Sequence, residues 1–135
     1  MKMTFHHVGV ASRDLPADVE AFRLLGYEPE GDEFVDHGQG IAGRFLVGTG
    51  PRIEVLEALP GSIILDPWLD KGVKFYHQAF EVDALDDALA TLRDVGARVV
   101  SPPAPAVAFG GRPIAFILLR NMVMVELIQR DSTDA

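Results

Sequence analysis

The chain repeats itself. Displaced by 70 residues, Phe5 falls on Phe75, His7 on His77, Leu15 on Leu85, Arg23 on Arg93 and Gly26 on Gly96. Further along the offset drifts by one or two. Phe45 then matches Phe116, and Ile53-Glu54-Val55-Leu56-Glu57 matches Val125-Glu126-Leu127-Ile128-Gln129. A chain of 135 residues has room for one compact domain or for two very small modules sharing a core. Neither half carries enough apolar residues to form a core alone. The repeat therefore predicts a single domain over 1–135, built from a first module at 4–60 and a second at 73–130.

Each half reads as strand, helix, then further strands. Phe5 to Ala11 and Phe75 to Val82 are short, apolar and β-rich, and so predict strands. Asp14 and Asp83 stand where helix caps are expected, with Pro16 tolerated in the first turn. Val19, Phe22 and Leu25, and then Leu85, Ala88, Leu89 and Leu92, fall at helical spacing, and Gly26 and Gly96 supply the stops. Strands are expected at Gly43 to Val47 and Arg52 to Ala58, and again at Arg98 to Val100, Ile114 to Leu119 and Met122 to Gln129. Thr49-Gly50-Pro51 and Arg120-Asn121 read as hairpin turns. Gly61 to Gly72 links the halves, with Ser62 a candidate cap for a short helix through Leu69. Ser101 to Pro105 reads as stiff and irregular and is excluded from a central strand by its prolines. Asp131 to Ala135 reads as a frayed tail. The expected class is α+β: two tandem βαβββ modules forming a curved mixed sheet around a cleft, with the helices outside.

Composition narrows the function. Apolar residues make up 48% of the chain and charged residues 24%, which is globular rather than disordered. With no cysteine, a disulfide scaffold, a thiolate metal site and a cysteine nucleophile are all excluded. The net charge of -8 repels phosphate backbones, so no nucleic-acid partner is expected. Met1 to Phe5 holds no signal-like apolar stretch, and Ile114 to Ile128 is broken by Arg120-Asn121, too short a run to cross a bilayer. The expectation is a cytoplasmic protein with no membrane partner.

Four residues are hard to explain as packing. Glu54 sits between Ile53 and Val55, and Glu126 between Val125 and Leu127, inside strands that otherwise look buried or half-buried; His7 and His77 sit in the opening strands of their halves. Taken singly, each Glu reads as a solvent-facing residue and each His as a hydrogen-bonded, half-buried ring. Taken together, the repeat puts one His and one Glu at equivalent positions in each half, so packing of the halves would bring two imidazoles and two carboxylates to one point. That donor set suits a borderline divalent metal, and the cation would offset the cost of burying the two acids.

At these residues the sequence resembles the vicinal oxygen chelate superfamily, which includes glyoxalase I, methylmalonyl-CoA epimerases, extradiol dioxygenases and bleomycin-type resistance proteins. It is most similar to the methylmalonyl-CoA epimerase-like branch, over about Phe5 to Gln129. The motifs are His7-Val8-Gly9-Val10-Ala11, Ile53-Glu54-Val55-Leu56-Glu57, His77-Gln78-Ala79-Phe80-Glu81-Val82-Asp83 and Val125-Glu126-Leu127-Ile128-Gln129. The resemblance implies that His7, Glu54, His77 and Glu126 hold one divalent metal ion (Zn, Ni, Co, Mn or Fe). It also implies a lyase or isomerase that stabilises the enolate of a small keto or acyl-thioester substrate. Glu54 and Glu126 are then catalytic candidates as well as ligands.

Two departures from the branch stand out. Where the epimerases commonly carry a Glu before a Gln-Gly pair, this chain has Gly38 before Gln39-Gly40, leaving Asp36 and His37 as substitutes for the acid/base or as a solvated loop pair. Tyr76 stands where the epimerases often have a second His; strand alternation puts it and His6 on the face opposite the ligands. Phe109-Gly110-Gly111-Arg112 reads either as a β-turn or as a substrate-binding loop whose Arg112 takes an anionic group. Trp68 and Phe109 are candidate pocket walls or core residues. Alternatives to the isomerase are an Fe(II) dioxygenase of the same superfamily and a non-catalytic protein that binds a drug or metabolite. A homodimer is expected, because open sheet edges and a small core favour association.

Overall fold

The computed structural model describes residues 1–132, and the final three residues of the predicted tail, 133–135, lie outside the described residues. The fold is α+β. In chain order the elements are β1 (Met3–Ser12), α1 (Leu15–Arg23), β2 (Glu28–Asp36), β3 (Ile41–Val47), β4 (Ile53–Ala58), α2 (Asp66–Leu69), β5 (Phe75–Val82), α3 (Leu85–Asp94), β6 (Arg98–Pro105), a 3-10 turn (Val107–Phe109), β7 (Pro113–Leu118) and β8 (Met124–Gln129). The strands form one mixed eight-stranded sheet in the order β2-β3-β4-β1-β5-β8-β7-β6. Two compact units divide the chain: residues 7–76, and residues 1–6 with the chain from His77 onward. Among the described residues, no helix is long and apolar enough to cross a membrane.

In the unit of residues 7–76, β1 pairs with β4 in parallel, and β3 joins β4 to the edge strand β2 by antiparallel pairing. Helix α1 presses Leu15 and Val19 onto Val10, Leu46, Ile53 and Val55. A second cluster, Ala11, Ile41, Leu56 and Leu65, forms where α2 packs, with Trp68 and Tyr76 against it. In the other unit, β5 pairs with β8 in parallel, and β7 joins β8 to the edge strand β6. Helix α3 buries Leu85, Ala88 and Leu89 against Val82, Ala115, Ile117, Val125 and Leu127. Each unit therefore has its own helix-side core, and the two repeat the same pairing pattern.

The helix ends obey the repeat closely. Gly26 and Gly96 both take left-handed backbone, at φ 89° and 96°, which costs a glycine little. The next residue in each case, Tyr27 or Ala97, donates its N–H back to Phe22 or Leu92. At the other end, Glu57 accepts from the Leu15 N–H at 3.0 Å and Gln129 from the Leu85 N–H at 2.8 Å. A side chain from the last strand of each module thus satisfies a helix N–H that has no partner within its own helix.

Several expectations need correction. Asp14 caps α1 by accepting from Ala17 N–H, but Asp83 does not cap α3: the cap residue is Ala84, and the Asp83 carboxylate pairs with Arg130 at 3.1 Å instead. Gln129 plays at α3 the part that Glu57 plays at α1, and the cap residue Ala84 adds no side-chain acceptor. Ser62 does not cap α2, which begins after Leu65. Leu25 is 67% exposed, because α1 ends at Arg23 and Leu25 falls beyond the turn that faces the core. Residues 28–36, read as no element, form edge strand β2, whose Glu28, Glu30, Asp32 and Glu33 are exposed while Asp36 at its end is buried. Ser101 to Pro105 is strand rather than irregular chain. It is tolerated because β6 is the other edge, where prolines lose no ladder partner. Finally, β8 starts at Met124, since Met122 takes φ 72° in the turn that closes Leu119 onto Val123.

Candidate metal centre

Strand β1 carries His7 and its parallel neighbour β4 carries Glu54, which lies beside Gly9, two residues beyond the histidine. Strand β5 carries His77 and its parallel neighbour β8 carries Glu126, which lies beside Ala79, again two residues beyond. The same register produces the same pair twice. His7 Nε2 is 3.2 Å from Glu54 Oε1, and His77 Nε2 is 3.1 Å from Glu126 Oε1. All four residues are buried: His7 is 0% exposed, Glu54 4%, His77 3% and Glu126 2%. One ligand atom from each lies within 4.8 Å of the other three.

Burying a carboxylate costs several kcal/mol unless a positive group meets it. Two carboxylates and two imidazoles in one cluster are chemically suited to a borderline divalent ion. Metal–ligand bonds of about 2.1 Å place neighbouring donors about 3 Å apart, which the two N···O spacings match. The donor set and its spacing therefore fit a metal.

Each pair also has an aromatic neighbour. Phe45 stands opposite Glu54 in the β3–β4 ladder and meets His7 edge-on, ring centroids 5.3 Å apart. Phe116 stands opposite Glu126 in the β7–β8 ladder and meets His77 edge-on at 5.2 Å. The repeat matches these two phenylalanines by position, but nothing in the strand pattern assigns them a role. In the first unit a further ring joins: Phe34 on β2 crosses Gly43 and tilts onto Phe45 at 5.9 Å.

The other candidate residues make contacts of their own. The buried Asp36 carboxylate accepts from Gln39 N–H at 3.2 Å and from Gln39 Nε2 at 2.8 Å, so it ties down the β2–β3 turn. His37 is exposed on that turn. Arg112 is committed to three protein oxygens: Glu81 Oε2 at 3.1 Å, the Gln129 carbonyl at 3.0 Å and the Phe109 carbonyl at 3.2 Å. Its guanidinium also lies over the Phe109 ring. Gly110 and Gly111 both take left-handed φ, which builds the turn between Ala106 and Arg112. Phe109 is buried, and Trp68 packs against Tyr76 at 5.5 Å. His6 meets Phe109 edge-on.

Known proteins resemble this chain in sequence and in fold. A family model described as the glyoxalase/bleomycin resistance protein/dioxygenase superfamily matches residues 6–116, and the chain belongs to that superfamily. Over 132 residues it is 30% identical to the ethylmalonyl-CoA/methylmalonyl-CoA epimerase of Cereibacter sphaeroides, covering 92% of this chain and 96% of the relative. The crystal structure of methylmalonyl-CoA epimerase from Mycobacterium tuberculosis superposes with a TM-score of 0.77 at 27% identity, over 96% of this chain and 89% of that one. A hypothetical protein, BH1468 of Bacillus halodurans, shares the fold with a TM-score of 0.81 at 22% identity, over 98% of this chain and 97% of that one.

Proposed function

We propose that this protein is a divalent-metal-dependent isomerase or lyase of the glyoxalase and methylmalonyl-CoA epimerase type. It moves a proton at the carbon next to a carbonyl in a small keto or acyl-thioester substrate. The observation that carries the reading is the duplicated, buried His–Glu pair whose four ligand atoms lie within 4.8 Å of one another. The Cereibacter relative, named for ethylmalonyl-CoA and methylmalonyl-CoA, makes short branched acyl-CoA thioesters the first substrates to test.

A divalent ion held by His7, Glu54, His77 and Glu126 would supply Lewis-acid stabilisation of the negative charge that develops on the substrate carbonyl oxygen. The proton itself needs a base. Gly38 offers none, His37 is exposed, and Asp36 is held by Gln39. Glu54 and Glu126 are the carboxylates already in the cluster, so one of them takes the proton from the α carbon and returns it. The buried rings of His7 and His77 hold these acids in place through the Nε2···Oε1 contacts. Arg112, whose Nε and Nη1 already meet Phe109, Gln129 and Glu81, is the candidate for the anionic end of the substrate. The proposed assembly is a homodimer in the cytoplasm; light scattering measures the first part.

The test is solvent-deuterium exchange after elemental analysis of the purified protein. Deuterium should enter the α carbon of methylmalonyl-CoA, ethylmalonyl-CoA or a 2-oxo acid only with metal present. Oxygen consumption in place of exchange would select the dioxygenase alternative. A metal-loaded protein that exchanges no substrate across the panel would end the isomerase reading.

A further inference from the structure

Resting on the metal reading above, we propose that Phe45 and Phe116 are positioning residues that fix the ring planes of His7 and His77, so that each Nε2 faces its paired carboxylate. Each unit carries the arrangement within itself.

An imidazole on a strand turns about its Cβ–Cγ bond in a broad, two-fold potential, so its ring plane is set by its neighbours. One neighbour of each ring here is a phenyl group in edge contact. The His7 and Phe45 rings meet at 73° with centroids 5.3 Å apart, and the His77 and Phe116 rings at 86° and 5.2 Å. Such T-shaped contacts are favoured by ring quadrupoles and are sensitive to ring plane. Each phenylalanine is also the cross-strand partner of the acid that its histidine faces, Phe45 of Glu54 and Phe116 of Glu126. One side chain therefore bears on both members of the pair. Outer groups that orient metal-binding histidines are an established determinant of affinity.

The repeat strengthens the case. The sequence offset is 70 between the histidines, 71 between the phenylalanines and 72 between the acids. The drift is taken up outside the pairs, yet both triplets reach the same arrangement. A ring that merely filled space would have no reason to keep its edge on the imidazole through two changes of offset.

The experiment uses the full chain, treated with chelator, as wild type, Phe45→Leu, Phe116→Leu and the control Leu89→Ala. Leu89 is a buried α3 residue of the helix-side core. Crystal structures of the metal-free variants should show the His7 ring turned away from Glu54 in Phe45→Leu, and the His77 ring turned away from Glu126 in Phe116→Leu. Titration with Co2+ should show each Phe variant binding about 10-fold more weakly, with altered visible absorption of the bound ion. The control should match wild type in affinity and spectrum. Rings that keep their planes in both Phe variants overturn the proposal, as does a control that loses affinity equally. A wild type that takes up no Co2+ removes the metal reading, while the metal-free ring geometry still decides what the phenylalanines do.

Discussion

Gly43→Ala is the substitution whose consequences can be followed furthest. Gly43 lies in β3 at an ordinary strand position with no positive φ, so the backbone itself accepts alanine. The space does not. A Cβ there would sit 2.5 Å from Phe34 Cζ and 2.7 Å from Leu56 Cδ2, whereas carbon atoms in contact prefer about 3.5–4.0 Å. The Phe34 ring must retreat by roughly 1 Å, and it cannot do so independently, since it lies against Phe45, which in turn meets His7. Overpacking of this kind costs about 1–3 kcal/mol, and the lower chain entropy of unfolded alanine returns about 0.4–1 kcal/mol. A net loss of about 1–2 kcal/mol remains. Unfolding entropy of about 2.1 cal/mol/K per residue gives about 0.3 kcal/mol per kelvin for this chain, so Tm should fall by about 4–7 °C in calorimetry. Phe34→Leu shortens the obstructing ring and should relieve the clash. The double variant should then be more stable than the two single losses predict, with a coupling of about 1 kcal/mol. Strict additivity, or a neutral Gly43→Ala, would refute the reasoning that Phe34 is threaded across the glycine.

Three further outcomes follow from the same contacts. Chelator should lower Tm, and a metal present at about 100 times its Kd should restore about 2.7 kcal/mol, roughly 10 °C here; in Glu126→Gln that metal-dependent rise should vanish while far-UV circular dichroism keeps its native form. Glu57→Ala should cost about 2 kcal/mol, because a charged acceptor at the first turn of α1 is lost, and Gln129→Ala about 1 kcal/mol for the neutral equivalent at α3; equal effects in urea titration would show that the charge on Glu57 contributes nothing. Arg112→Ala should lower Tm and couple with Glu81→Gln, since the two side chains are partners. A rise in KM at unchanged Tm would instead assign the guanidinium to the substrate.

What could be read from the chain and what could not divide along physical lines. His7, Glu54, His77 and Glu126 were legible because acids and imidazoles inside apolar strands violate the ordinary pattern, and the repeat made the violation occur twice. The helices were legible from spacing and from Gly26 and Gly96. Strand β2 was not, since its sequence Glu-Pro-Glu-Gly-Asp-Glu carries no apolar alternation; an edge strand open to solvent needs none. The capping of α3 was misplaced for a related reason. Asp83 is the right residue type one position too early: the cap position is Ala84, the repeat equivalent of Asp14, and the Asp83 carboxylate is drawn to Arg130, a tertiary contact that local patterning does not contain. Arg112 shows the limit for charged loops: from sequence it is a free cation beside two glycines, and only the fold reveals Glu81 across from it.

The duplication also explains why such a site can be buried. Under the metal reading, one module supplies one imidazole nitrogen and one carboxylate oxygen in a position almost closed to water. Alone, that module would have to find a cation for a buried glutamate set between apolar neighbours, Ile53 and Val55 or Val125 and Leu127. Two modules bring minus two, which under the metal reading is the charge that one divalent ion cancels. The same ion then satisfies both acids, and no lysine or arginine need enter the strands. On this argument the two glutamates are not interchangeable with neutral residues singly. Replacing one acid leaves the cluster a charge short toward the ion. Replacing both leaves a cluster with no net charge, which should be more stable without metal than either the native chain or the single variants. A double variant Glu54→Gln/Glu126→Gln that melts below the metal-free native protein would show that the acids are held by other partners, and the charge argument for the metal would fall with it.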